Sequence, residues 1–394
     1  MVQVRHTVAL ALTAALTLGT VGCAGAPASV DTSQGASYTT LVDDFHDTDT
    51  GTGQDVTSSM DLAYAKGFTV DVLEGGHALI CTRDGRRYLT VGAGQDVPAD
   101  LAKDIVTIEV PIKDVYLAAS DTMCLFAALD ATDCLSVSGL KRDDWSIPEA
   151  IEAFDEGRLV FGGSYRSPDY ELLVERGVKL AVESTMINHT PEVRDKLEDL
   201  GIGVFVELSS YEDDPLARCE WVRLWGLLTD KQERADQVFK EQVDLIESIG
   251  TAPTGKTVAY FYLNSQGSAV VRRPGDYVTK MIELAGGTYA FCDLEPAQAG
   301  SSTVTLEMER FYGLAADVDV LIYNGSIDDT VSSVSELIDR CPVLKDSKAV
   351  REGQVWATDQ NMYQDMIHSG QVVSEMHSIL AGDEVPLTYL RRLD

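Results

Sequence analysis

Residues 229–249, TDKQERADQVFKEQVDLIESI, run without a glycine or a proline until Gly250 closes them. Ala235, Val238, Phe239, Gln242, Leu245, Ile246 and Ile249 recur at three- and four-residue steps, the period of one helical face. Thr229 and Gln232 stand at capping-box spacing at the start, and Gly250 supplies a stop. About 18 residues at 1.5 Å rise make a rod of about 27 Å, long enough to cross a domain. Such a rod does not flex as a linker does, so what lies on either side is held at a fixed spacing. The stretch before it, Pro215 to Leu228, reads as a further helix, with Trp221, Leu224, Trp225 and Leu228 on one side.

Both flanks alternate strands and helices. On the N-terminal side, IVTIEV (105–110), VYLAA, RLVFGG, KLAVEST and GVFVEL are short apolar runs separated by helical patterns. On the C-terminal side KTVAYFYL restarts the alternation, followed by GDYVTKMIELAGG, LEMERFYGLAA, VDVLIYN, VSELIDRC, QVWAT and a last helix over about 364–381. This rhythm predicts mainly parallel sheets covered by helices on both faces. Residues 68–91 instead alternate apolar and polar, broken by Gly75-Gly76 and Asp84-Gly85, and predict a three-stranded meander. The expected fold is therefore α/β: two three-layer lobes joined by one long rigid helix. The boundaries are 57–228 for the first lobe, 229–250 for the helix and 251–394 for the second lobe.

The start of the chain reads as an address. MVQVRHTVALALTAALTLGTVGC carries one early cation, Arg5, then an apolar run of about 14 residues, too short to span a membrane. It ends in Gly22-Cys23, which resembles the lipobox of bacterial lipoproteins, although Thr20 stands where leucine is usual. Residues 1–22 are thus expected to be a signal peptide, and Cys23 the lipidated first residue of an extracytoplasmic, membrane-anchored protein. Residues 23–56, rich in Ala, Gly, Ser, Thr and Asp, read as a flexible tether. Cys81, Cys124, Cys134, Cys219, Cys292 and Cys341 follow, without the tight spacing of a metal site. Their even number outside the cytosol permits disulfides, and buried thiols fit as well.

A formal charge of −32 argues against a nucleic-acid partner and against a basic membrane-binding patch. Residues 250–257, GTAPTGKT, match the phosphate-loop pattern letter for letter. A phosphate loop needs a strand before it and a helix after it, whereas here a helix ends at Gly250 and Lys256-Thr257 open a strand. The segment therefore reads as a turn between lobes. No H-E-x-x-H or G-x-S-x-G is present, and His368 and His377, nine residues apart, are too far apart on one helix for a shared metal. No catalytic residue and no cofactor are expected.

SPDYELLVERGVKLAVEST (167–185), KLEDLGIGVFVE and ARCEWVRLWGLLTDKQERADQVF together resemble the periplasmic binding proteins for iron–siderophores, haem and cobalamin. VRRPGDYVTKMIELAGGTYAF and VDVLIYN continue the resemblance, which covers about residues 100–382. It implies the substrate-binding component of an ABC importer, a monomer with a cleft between its lobes. Such a receptor passes a metal chelate to a permease and its ATPase. It also implies one exposed glutamate per lobe that docks on the permease: Glu171 in PDYELL and, in the second lobe, Glu309, with Glu307 close behind. Acidic helix starts are also favoured by the helix dipole alone.

Ligands of open α/β sheets lie outside the carboxyl ends of the strands. The strand-end loops nominate Ser120 and Met123, Tyr165 and Arg166, and Ser184, Thr185 and Met186 in the first lobe. In the second they nominate Asn264, Arg272, Arg273, Tyr277, Asn324, Met362, Tyr363 and Gln364. Phenolate and thioether can ligate iron, and guanidinium pairs with propionate or catecholate oxygens. Trp145 could stack on a flat ligand or sit in the core. Two other readings stay open: a surface sensor or adhesion lipoprotein, which needs no permease footprint, and an enzyme on a similar two-lobed metal-cofactor fold.

Overall fold

The computed structural model describes Leu41, Phe45 and residues 49–250, 252–294 and 301–394. The residues read as a signal peptide, Cys23 and most of the segment read as a tether lie outside the described residues.

The first sheet comprises β1 (Val56–Ser59), β2 (Phe68–Leu73), β3 (Ala78–Thr82), β4 (Arg87–Gly92) and β5 (Ile105–Val110), in that order. The expected meander is its centre, turned at the Gly-Gly and Asp-Gly steps. IVTIEV is corrected by its pairing. As β5 it runs parallel to β4, with Tyr88 opposite Val106, and so belongs to this sheet and not to the lobe's parallel one. The tether also ends earlier than expected. Thr52 is only 2% exposed, Phe45 packs against the outer cluster of Leu73, Leu79, Cys81, Leu89 and Ile105, and Leu41 packs against the main core.

The second sheet is parallel throughout, in the order β10-β9-β6-β7-β8. Its strands are β6 (Val115–Leu117), β7 (Leu135–Ser138), β8 (Val160–Phe161), β9 (Leu180–Ser184) and β10 (Gly203–Glu207). Between them lie α1 (Met123–Ala128), α2 (Pro148–Asp155), α3 (Tyr170–Glu175) and α4 (Pro191–Asp199). Then come α5 (Pro215–Thr229) and α6 (Gln232–Ile249). Asp214 caps α5 by accepting from the Leu216 amide at 2.8 Å, and Pro215 fits the first turn, where no amide proton is needed.

The turn from α5 to α6 departs from expectation. Thr229 still belongs to α5, with its hydroxyl on the Trp225 carbonyl at 2.7 Å, so no capping box forms. The chain reverses through Asp230 in the left-handed region (φ 59°), and the Lys231 amide closes on Gly226 O at 2.7 Å. Tertiary packing of two helices replaced the local cap.

The third sheet has the order β14-β12-β11-β15-β16-β17, with β13 also paired to β11. It contains β11 (Thr257–Leu263), β12 (Ala269–Arg272), β13 (Thr288–Tyr289), β14 (Thr303–Leu306), β15 (Val320–Tyr323), β16 (Val355–Thr358) and β17 (Leu390–Arg392). Its centre is parallel and its outer strands antiparallel. Its helices are α7 (Tyr277–Leu284), α8 (Met308–Ala315), α9 (Val334–Arg340), α10 (Lys348–Arg351), α11 (Asn361–Gln364) and α12 (Ser369–Ala381). Lys256 pairs with Asp319 at 3.6 Å and Thr257 opens β11, so Lys256-Thr257 form a strand entry. All six cysteines of the folded part are free thiols.

Two main cores result, beside the small outer cluster of the first sheet. Ala235 and Val238, near the start of α6, are buried in the first, while Ile246 and Ile249 at its end pack on the second. One helix anchored in two cores is the two-lobed α/β plan. The chain crosses a second time, which the sequence did not signal. Met366 and Ile367 are buried in the first core although Met362, Val372 and Val373 beside them belong to the second.

At this crossing α12 lies on α6 with Gly370 at the contact. A Cβ there would stand 2.5 Å from Gln242 O and 3.0 Å from Gln242 Cα. Because the obstacle is backbone, Gly370→Ala is expected to force the helices apart and cost about 1–3 kcal/mol. A urea melt of that variant matching the parent's midpoint would contradict this packing.

Candidate functional site

In the parallel sheet of the first lobe, all strands point their carboxyl ends to one edge, and the loops there carry the predicted residues. Ser120 begins the turn after β6. The loop after β8 is tight. The Asp169 amide returns to Gly162 O at 2.7 Å, Tyr116 OH donates to Gly163 O at 2.9 Å, and Gly163 has φ 84° with Ser167 O where a Cβ would be. On this loop Arg166 Nε donates to Tyr165 OH at 2.6 Å and its guanidinium sits over that ring. After β9, the Ser184 hydroxyl receives the Met186 amide, Thr185 Oγ1 is 2.8 Å from Tyr211 OH, and Met186 is 37% exposed.

The strongest convergence of the two lobes is elsewhere. Arg218, on α5 of the first lobe, lies 3.7 Å from the ring centroid of Tyr277, the first residue of α7 in the second. Its guanidinium is held by Glu212 O at 2.8 Å and Ser210 O at 2.6 Å. Arg272 lies 5.8 Å from the same ring and 3.8 Å from Asp276. Arg273 of the second lobe pairs with Asp213 of the first. Gln364 bridges again, donating to Asp144 O and accepting from the Ser146 amide, both at 2.8 Å.

The electrostatics of this cluster are those of crowded acids and bases. Burial pushes the Asp121 carboxyl up, against the pull of Arg218. Burial and then the Asp121 charge push Glu207 well up. Desolvation and the same Asp121 charge push the Tyr363 phenol up to about 12, so it is a neutral hydroxyl at neutral pH. A metal taking Tyr363 as phenolate must displace that proton.

Of the predicted contacts, Arg272, Tyr277 and Tyr363 are brought together with Arg218, while Arg273 and Gln364 join the lobes separately through Asp213 and through Asp144 and Ser146. Met123 is corrected: it is 0% exposed and belongs to the first core. Met362, 7% exposed, belongs to the second, and Trp145, 4% exposed, is core with its indole on Ser138 Oγ. Asn264 closes the β11–β12 hairpin, its side-chain oxygen accepting from the Gln266 and Ser268 amides at 3.0 and 2.9 Å. Asn324, 2% exposed, lines with Arg272, Tyr260 and Thr303 a shallow recess within the second lobe. Another shallow recess lies away from this cluster, between Arg83, Tyr211 and Leu41. Asp121, Asp213 and Arg218 were missed. Asp121 sits between two nominated residues, whereas nothing in α5 marks Arg218 as facing another lobe.

Glu171 is exposed in the first turn of α3, which Asp169 caps through the Leu172 amide at 3.0 Å. Glu309 is exposed in the first turn of α8, and Glu307 is exposed at its N-cap without a side-chain capping bond.

Residues 120–362 match the family model described as periplasmic binding protein. The chain belongs to the periplasmic binding protein family. Members of this family are solute-binding proteins. The match begins at Ser120, so the N-terminal five-stranded sheet stands outside it. The chain is 25% identical over 311 residues to a protein named Uncharacterized lipoprotein MJ0878 of Methanocaldococcus jannaschii, covering 75% of this chain and 72% of that one. Its fold is similar to the periplasmic haem-binding protein HutB of Vibrio cholerae. There the TM-score is 0.54 and the identity 16%, over 68% of this chain and 99% of that one. It is also similar to a periplasmic binding protein from Veillonella parvula, with TM-score 0.55 and 15% identity, over 70% and 93% of the respective chains. These solved structures bear on the fold of this family member.

Proposed function

We propose that this periplasmic binding protein captures a metal chelate, such as haem, a ferric siderophore or a corrinoid, between its lobes. It then delivers the chelate to the permease and ATPase of an ABC importer. The observation that carries the reading is the interlobe set of Arg218, Arg272, Tyr277 and Tyr363, held over the gap by a helix rooted in both cores. Guanidinium and phenol groups at one place suit an anionic, aromatic or catecholate-bearing solute. The haem-binding name of HutB and the lipoprotein name of MJ0878 support the same reading. Cys23 would carry the lipid anchor, on the outer face of the membrane.

Purified protein mixed with haemin, cobalamin and several ferric siderophores is expected to show a shifted absorbance band and quenched tryptophan fluorescence with one class. Arg218→Ala is expected to weaken that binding at least tenfold, and silence from every chelate would defeat the proposal. Docking is tested separately. Reversing charge at Glu171 and Glu309 together should leave solute binding intact and lower uptake in cells at least tenfold. Undiminished uptake would remove these two glutamates from the footprint.

A further inference from the structure

The second crossing, Gln364 to Ser369, is fastened to the first lobe at Gln364, Met366 and Ile367. Gln364 is bonded to Asp144 and Ser146, and the Met366 and Ile367 side chains are in the first core. Their carbonyls take the Cys219 thiol at 3.4 and 3.3 Å, and Ser369 Oγ returns to Met366 O at 2.6 Å. Two residues of the crossing face a polar environment. Asp365 accepts from Tyr389 OH at 2.6 Å with one oxygen and meets His368 Nδ1 at 2.7 Å with the other. The His368 ring stacks beside Tyr389 at 6.3 Å. The charges of Glu149 on α2 and Glu241 on α6 also favour the protonated ring at longer range.

We propose that this crossing is a pH-responsive latch between the lobes. Protonated His368, paired with Asp365, closes the turn that seats Met366 and Ile367 in the first core, and deprotonation loosens that turn. The tyrosine fixes Asp365 in place, so the carboxylate cannot turn away when the imidazole loses its charge. The weakening is then felt by the crossing itself. Charge-assisted hydrogen bonds are about twice as strong as neutral ones, which sets the size of the change. Although burial works against the charged ring, Asp365 and then the two glutamates hold its pKa above the usual histidine value. The sign follows. Stability from this group is complete below the ordinary histidine pKa and is lost as pH rises through the higher folded value.

The latch stands on the ligand-free chain. Only its consequence, slower parting of the lobes in acid, rests on the solute-receptor reading. The test therefore uses the full chain without solute. Hydrogen exchange of amides 366–372, corrected for intrinsic rate, is measured at pH 5.5 and 8.5 against α9 as internal reference, in a Glu183→Gln parent that lacks the first-lobe titration of that glutamate. Protection of this segment is expected to fall about fivefold at the higher pH. His368→Gln should flatten that dependence, and Asp365→Asn should shrink it. His377→Gln, whose parent residue bonds Ala285 O at 3.0 Å, should leave it unchanged. Exchange in that parent that changes no more than in α9, or a His368→Gln chain that keeps the parent's dependence, overturns the proposal. Either result would leave the solute assay untouched.

Discussion

Glu220→Ala is expected to lower stability by about 3–5 kcal/mol, the range for leaving buried partners of a charge unanswered. Glu220 is 0% exposed on α5, and its carboxylate receives the Ala63, Tyr64 and Ala65 amides at 2.8, 2.8 and 2.7 Å. Arg223 lies 3.4 Å from it on the next turn and also bonds Asp61 O. One side chain thus satisfies three successive backbone donors in the loop that leads to β2. Without it those donors are either buried without acceptors or exposed by unseating the loop. Glu212 serves the next two amides, Lys66 and Gly67, at 2.9 and 2.7 Å, so the loss is not made good by a neighbour. Urea unfolding followed by tryptophan fluorescence measures the effect, since Phe68 packs 4.7 Å from Trp221. A midpoint within error of the parent would show that the loop is not anchored through this carboxylate.

Glu183 gives a large effect of a different kind, one that depends on pH. It is 0% exposed near the end of β9, and among the described residues neither carboxylate oxygen has a hydrogen-bond partner. Burial alone pushes it up to about 8 from an ordinary glutamate value, and its charge bears in turn on Tyr116 and Tyr170. The folded state therefore holds a proton that the unfolded chain releases near pH 4.5. Stability from this group is complete below that value and is lost steadily as pH rises through about 8, at about 1.4 kcal/mol per unit. Glu183→Gln removes the titration but keeps the shape. Its stability relative to the parent is expected to rise by about 3–4 kcal/mol between pH 5 and pH 8.5, where the constant cost of the new amide cancels. Denaturant melts at several pH values check this. A difference that stays flat would mean that Glu183 is ionised and solvated in the native protein.

Much of the architecture was legible because its signals are local and repeated. The α6 pattern shows a helix because one face is apolar and the rest charged, and its length without Gly or Pro shows a spacer. The meander is marked at its turns, where Gly75-Gly76 and Asp84-Gly85 supply conformations that other residues resist. The resemblance across 100–382 rests on several stretches in order, and the family match over 120–362 falls inside it.

The site was legible only in part, for a physical reason. Strand-end position selects residues near an edge but not the direction of a side chain. Met123 and Tyr363 therefore looked alike, and one is fully buried while the other is 40% exposed. Arg218 had no strand-end signal at all, because its partner ring lies on a helix in the other lobe.

By itself the sequence determined the kinds of elements, their order, the rigid spacer and the family, since each depends on period, turn chemistry or composition within a short window. Only the tertiary structure decided which core each apolar residue joins. Thus β5 went to the first sheet and Met366–Ile367 to the first lobe. Apolar burial is nearly indifferent to which surface covers it, so that choice belongs to the packing of the whole chain.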